Sequence, residues 1–146
     1  MTHSTNTDTE TCIFCKILER AVPSTPLYED DYVYAFLDIQ PVNKGHTLVI
    51  PKDHFENIYT VPSETWLRVQ MAIQKIALAI KNSTGADGIN ILMNNESAAG
   101  QIVPHAHVHI IPRHNDDGFK HWPQGVYKDT SEPEQFAKDI RAELEE

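Results

Sequence analysis

Between His105 and Ile111 the chain alternates two kinds of side chain. His105, His107 and His109 take the odd positions, and Ala106, Val108 and Ile110 take the even ones. Successive side chains of a strand point to opposite faces, so this pattern predicts a strand with one imidazole face and one apolar face. The apolar face must pack on a core, and the histidine face must look into something polar. Residues i and i+2 lie about 7 Å apart along a strand, so the outer two imidazoles start roughly 13 Å apart at the backbone. With Zn–N bonds of about 2.0–2.1 Å, a single zinc ion cannot take all three. Imidazoles in register also repel one another once protonated, which favours chemistry or a metal over an ordinary solvated strand face.

The residues just before this stretch strengthen that reading. Gly100 permits close backbone approach to a ligand, and Gln101, Asn94 and backbone N–H groups of the loop suit phosphate oxygens. A neutral imidazole in such a setting can act as a nucleophile toward phosphorus. Its other nitrogen then needs an acceptor, such as a backbone carbonyl, to fix the tautomer.

The rest of the chain supplies elements on which this strand can pack. Tyr32 to Ile39 and His46 to Ile50 are rich in β-branched and aromatic residues and read as strands, joined through PVNKG. Trp66, Val69, Ile73, Ile76 and Ile80 form one apolar stripe at helical spacing, predicting a long helix between Pro62 and Ser83 with Gly85 as its stop. Gly88 to Asn94 reads as a further strand. Ser131 with Glu134 fits a capping box, and Phe136, Ile140 and Leu144 mark a C-terminal amphipathic helix. Ile13 to Arg20 reads as a short helix ended by Pro23 and Pro26, and residues 1–11 read as a disordered polar tail. Strands with short connections and few long helices favour an α+β domain on an antiparallel sheet.

Length and charge narrow the function. A chain of 146 residues reads as one domain. The formal net charge of −9 argues against a broad footprint for polymeric nucleic acid, while leaving room for a small anionic ligand. No apolar run reaches the roughly 18 residues of a membrane span, and the N-terminus lacks the pattern of a secretory signal. The two cysteines, Cys12 and Cys15, form a C-x-x-C pair, which in a reducing compartment reads as half a metal site or a redox motif; the cytosol is the expected location. His54, His114 and His121 read as surface residues, and Lys52 and Arg113 as solvated strand-end charges.

Taken in order, CIFCKI, AFLDIQPVNKGHTLVIPKDH, NILMN, GQIVPHAHVHIIPR and HWPQG resemble the histidine triad (HIT) superfamily, in its bacterial nucleotide-binding branch. The resemblance covers most of Cys12 to Gly125. It implies a HIT domain over residues 12–125, an antiparallel five-stranded sheet with one long helix, a C-terminal extension over 126–146 with its own helix, and a homodimer. It further implies a purine-nucleotide hydrolase or nucleotidyl transferase acting at the α-phosphate. His107 would be the nucleophile, His109 would contact phosphate or leaving group, and Gln101 and Asn94 would orient phosphate oxygens. Asp38 would bind the ribose hydroxyls, and Ile13, Phe14, Phe36 and Ile39 would form the base slot. A structural zinc would be held by Cys12, Cys15, His46 and His105. Ile102 departs from relatives that carry a serine there to assist phosphoramidate cleavage. A purine-nucleotide-binding module with little turnover is the alternative implied function.

Overall fold

The computed structural model describes residues 6–145. Five strands form one antiparallel sheet: β1 (Pro26–Glu29), β2 (Val33–Leu37), β3 (Thr47–Pro51), β4 (Gly88–Leu92) and β5 (Val108–Arg113). They lie in the order β1-β2-β3-β5-β4. The expected α+β architecture with five antiparallel strands is therefore what the chain adopts.

Two apolar layers follow from strand alternation. Val33 and Ala35 of β2, Val49 of β3, and Val108 and Ile110 of β5 point to one face. There they meet Val69, Ala72, Ile73, Ile76 and Ile80 of the long helix α3 (Ser63–Thr84), the stripe expected from helical spacing. Gly85 closes α3 in a left-handed conformation (φ 66°), its neighbourhood capping the last turn through an N–H bond to the Lys81 carbonyl. On the opposite face Tyr34, Phe36, Leu48 and Ile50 pack against Cys12, Phe14, Cys15 and Ile17. The last three belong to a short helix α2 (Ile13–Leu18) that begins at Cys12.

Three local expectations change. Residues 6–11, expected as part of a polar tail, form a helix, α1 (Asn6–Thr11), running into Cys12; residues 1–5 lie outside the described residues. β1 was hidden by its opening proline, which is tolerated because the strand is at the sheet edge. The C-terminal helix α4 (Glu132–Leu144) is not capped by Ser131. Asp129 Oδ1 instead accepts from the Ser131 N–H, the Ser131 hydroxyl and the Glu132 N–H, so the carboxylate two residues earlier ties down the start of the helix. Phe136, Ile140 and Leu144 form the expected stripe, and all three are exposed.

The histidine stretch is only partly a strand. β5 starts at Val108, so His109 lies within it while His105 and His107 precede it in a bent segment. The bend is held by Ala106, whose N–H donates to the Phe55 carbonyl, and by the His105 N–H bond to the Val103 carbonyl. Alternation still holds where it matters. Val108 and Ile110 face α3, and His107 and His109 share the other side with ring centroids 5.0 Å apart.

Candidate active site and metal centre

His107 sits at the centre of the histidine face and is buried. Its Nδ1 lies 2.7 Å from the His105 carbonyl oxygen. A carbonyl can only accept, so Nδ1 carries the proton and Nε2 carries the lone pair. This is the backbone-fixed tautomer that a nucleophilic imidazole requires. Burial lowers the His107 pKa, opposed by the His105 carbonyl bond and the Asp38 charge, so the ring is held neutral near pH 7. The edge of Phe14 stands against the His107 ring (5.1 Å between centroids), and Phe14 in turn packs edge-on to Phe36 at 5.5 Å.

His109 neighbours His107 and lies 2.9 Å, Nδ1 to Nε2, from His46. Burial, then the neighbouring His107 and His46, push the His109 pKa down to about 4. Asp38 follows the end of β2. One carboxylate oxygen accepts the Gln40 N–H at 2.8 Å, and the other lies 3.7 Å from His46 Nε2. Asp38, His46 and His109 thus form one polar cluster. Ile13 is partly exposed and Ile39 is 91% exposed, so these two expected base contacts border open space, while Phe14 and Phe36 form a buried wall.

The expected phosphate-orienting residues divide. Asn94 reaches the loop before the triad, with Nδ2 3.5 Å from the Gly100 carbonyl. Gly100 has φ 93°, a left-handed conformation suited to glycine, and a Cβ there would meet Asn94 Nδ2 at 3.5 Å. Gln101 is committed to the backbone at both ends of its amide. Its nitrogen donates to the Glu56 and Val103 carbonyls (2.6 and 3.0 Å), and its oxygen accepts the Glu96 N–H at 2.7 Å. In this arrangement Gln101 braces the loop rather than presenting a free group to a ligand. Lys52 pairs with Glu29 and Arg113 with Asp117, so neither cation is aimed at the site as a free charge.

The second group of donors is Cys12, Cys15, His54 and His105, whose ligand atoms all lie within 4.8 Å of one another. His105 Nε2 is 2.8 Å from the Pro51 carbonyl, which places the proton on Nε2 and leaves Nδ1 free. That Nδ1 faces the Cys12 and Cys15 sulfurs at 3.5 and 3.7 Å, and His54 Nδ1 lies 3.3 Å from the Cys15 sulfur. A tetrahedral zinc site built from Zn–S of about 2.3 Å and Zn–N of about 2.0 Å has N···S edges of about 3.5 Å. The spacings fit. A histidine ligand whose remote N–H is held by a backbone carbonyl is also the usual outer support of a zinc site. Burial and the adjacent Cys12 push the Cys15 thiol up to about 12, so its ionisation calls for a nearby cation.

The structure brings His54, and not the expected His46, beside Cys12, Cys15 and His105. The reason is register. β3 and β5 are antiparallel, with Thr47 opposite Ile110 and Leu48 opposite His109. His46, just before β3, therefore lies at the His109 end of the face. His105 lies past the other end of β3, where Pro51 meets it and the following turn carries His54. The two ends are those of the five-residue β3, roughly 17 Å of extended chain apart. His54, expected at the surface, is half-buried against His105, with ring centroids 4.9 Å apart. Antiparallel pairing of the two segments was the signal that could have found it.

A profile of the HIT domain matches residues 19–116. Protein hit of Bacillus subtilis is 52% identical over 111 residues, covering 75% of this chain and 77% of that protein. The adenosine 5′-monophosphoramidase of Saccharomyces cerevisiae is 42% identical over 105 residues, covering 72% of this chain and 64% of the yeast protein. A crystallised protein of Streptococcus mutans superposes with a TM-score of 0.88 at 44% identity, covering 99% of this chain and 89% of that one. A zinc-bound histidine triad family protein of Mycobacterium smegmatis superposes with a TM-score of 0.73 at 36% identity, covering 94% and 97%. With the fold, the histidine constellation and these likenesses in agreement, the chain belongs to the HIT-domain family.

Proposed function

We propose that the protein is a nucleotide hydrolase or nucleotidyl transferase acting at the α-phosphate of purine-nucleotide conjugates. The observation that carries this reading is the 2.7 Å contact of His107 Nδ1 with the His105 carbonyl, which leaves Nε2 unprotonated. In the first step the Nε2 lone pair forms a bond to the α-phosphorus while the bond to the leaving group breaks, its electron pair departing with that group; an amine leaving group takes up a proton from solvent. Water then attacks the nucleotidyl-histidine, the N–P electron pair returns to Nε2, the water gives up a proton to solvent, and nucleoside monophosphate is released. A relative named as an adenosine 5′-monophosphoramidase supports this class of chemistry. Nucleoside phosphoramidates and dinucleoside polyphosphates are the substrate classes.

Asp38 is the ribose reader in this account, its carboxylate accepting from two vicinal hydroxyls. One of its oxygens already caps the Gln40 N–H, which orients the group before a ligand arrives. Asp38→Ala is expected to weaken nucleoside monophosphate binding by roughly 10- to 100-fold, the range for losing hydrogen bonds to a charged group. Isothermal titration with adenosine monophosphate checks this, and unchanged affinity would remove Asp38 from the site.

A nucleotide-binding module with little turnover is favoured by two observations. Gln101 is occupied by backbone partners, and Ile102, 92% exposed, offers no hydroxyl to a leaving group. Release of nucleoside monophosphate from an adenosine phosphoramidate or a dinucleoside polyphosphate separates the two readings.

Zinc is assigned to Cys12, Cys15, His54 and His105, supported by the donor spacings and by the zinc-bound relative. Four protein ligands close the coordination sphere, so the ion would be structural, tying the start of α2 and the β3 end to the segment that carries His107.

We also infer a homodimer. β4 is a sheet edge, and Ile91 on it is exposed beside Leu67 and Met71 of α3. Unpaired strand edges and adjoining apolar surface are what a twofold partner covers. Sedimentation equilibrium is expected to give twice the chain's 16.6 kDa, with Ile91→Lys shifting it to the single-chain mass. A monomeric wild type at micromolar concentration would contradict this.

A further inference from the structure

His46, displaced from the metal site, has a different set of partners. Its Nδ1 accepts the Val42 backbone N–H at 3.1 Å. A backbone N–H can only donate, so His46 Nδ1 must hold a lone pair, which also excludes the imidazolium form. The proton of the neutral ring is therefore on Nε2. Its acceptor is His109 Nδ1, 2.9 Å away. That atom must in turn hold a lone pair, so the proton of His109 sits on Nε2. Asp38 Oδ2, at 3.7 Å from His46 Nε2, is beyond hydrogen-bond range and does not compete for that proton. Only one assignment satisfies both contacts.

The source of this information is backbone, and it is held in place. The Asp38 N–H donates to the His46 carbonyl and the His46 N–H to the Asn43 carbonyl, closing the turn that carries Val42. Asn43 Nδ2 ties the same turn to the Pro112 carbonyl of β5 and to Asp117. Gly45 completes it at φ 100°, where a Cβ would stand 3.0 Å from Thr84 Cγ2 at the end of α3. The turn is thus fixed against both the catalytic strand and the long helix.

We propose that His46 is a positioning residue that locks His109 as a neutral Nε2–H donor, so that His109 grips a phosphate or leaving-group oxygen or nitrogen by hydrogen bonding rather than as a cation or a base. The role rests on the nucleotidyl-transfer reading for its substrate, though the tautomer stands on the two contacts alone. His107 and His109, 5.0 Å apart, then carry opposite tautomers. The first presents a lone pair to phosphorus, and the second presents an N–H to an atom bonded to that phosphorus. Each is set by a backbone group, the His105 carbonyl for one and the Val42 N–H, relayed through His46, for the other.

The test is two-bond ¹H–¹⁵N correlation of histidine-labelled protein at pH 7, with steady-state hydrolysis of an adenosine phosphoramidate or dinucleoside polyphosphate alongside. In the wild type His109 is expected as a single Nε2–H tautomer. His46→Leu is expected to give mixed His109 tautomers and roughly a tenfold lower kcat, with KM moving much less, since the donor acts on the transition state. His46→Gln, whose amide N–H can reach His109 Nδ1, is expected to recover the Nε2–H form and most of kcat. His109 found as Nδ1–H or imidazolium in the wild type would overturn the proposal, and that spectrum needs no variant to fold. So would a His46→Leu protein with unchanged tautomer and unchanged kcat. A wild type with the Nε2–H spectrum but no hydrolysis supports the tautomer assignment and overturns the transfer reading instead.

Discussion

His107→Ala is expected to reduce nucleotide hydrolysis by at least about 10⁴-fold while the protein remains folded. Removing the nucleophile of a covalent mechanism costs a loss of this size or more, because the other groups act only through the bond it forms. A factor of 10⁴ corresponds to about 5.5 kcal/mol of barrier. The structural cost is smaller. His107 is buried against Phe14 and His109, and truncation removes the ring and its bond to the His105 carbonyl. That is worth roughly 2–3 kcal/mol, within the 5–15 kcal/mol stability of an ordinary domain. Circular dichroism and kinetics on the same preparation separate the two effects. His107→Asn, which keeps a polar group near the His105 carbonyl, serves as a milder second variant. Substantial turnover in both would mean that phosphorus is attacked by another group.

Loss of the metal is expected to act in the opposite way, mainly on stability. Cys12→Ser, or removal of zinc with a strong chelator, is expected to lower the melting temperature by about 8–16 °C. The figure follows from a ligand held a thousandfold above its Kd, worth about 4 kcal/mol, and a shift of about 2–4 °C per kcal/mol for a chain of this size. Cys12 and Cys15 belong to the apolar layer that also contains Phe14, Tyr34, Phe36, Leu48 and Ile50, so the domain has a core without the ion. Partial destabilisation is therefore predicted, rather than the complete unfolding seen in very small zinc domains. His54→Ala is expected to behave like Cys12→Ser, with elemental analysis giving less than one zinc per chain. His46→Ala is expected to keep its zinc. A His46→Ala protein that loses zinc while His54→Ala retains it would restore the ligand set expected from resemblance.

The sequence made the fold legible where a period was clean. The stripe of Trp66, Val69, Ile73, Ile76 and Ile80 marked α3 and its buried face to within a residue or two, because burial on a sheet demands that spacing. Alternation in HAHVHII correctly separated Val108 and Ile110 from His107 and His109, although the strand begins only at Val108. β1 was not legible because four residues opening on Pro26 carry too short a pattern. Ser131 does not act as the cap because Asp129, two residues earlier, holds its hydroxyl and accepts the Ser131 and Glu132 N–H groups, and Pro133 offers no N–H to a serine cap. At the site, residue types were legible but pairing was not. His46 and His54 both flank β3, and only the β3–β5 register decides which one meets His109 and which meets the cysteines. Tautomers depend on single backbone partners, the His105 and Pro51 carbonyls and the Val42 N–H, which no side-chain pattern encodes.

The central claim is that His107 Nε2 forms a covalent bond to the α-phosphorus of a nucleotide. Intact-protein mass spectrometry after rapid quenching of wild type with an adenosine phosphoramidate or dinucleoside polyphosphate tests it most directly. The account predicts a mass increase of one adenylyl group, localised by peptide mapping to His107 and absent from His107→Ala. An adenylyl group on another residue, or brisk release of adenosine monophosphate with no adduct at any quench time, would contradict it.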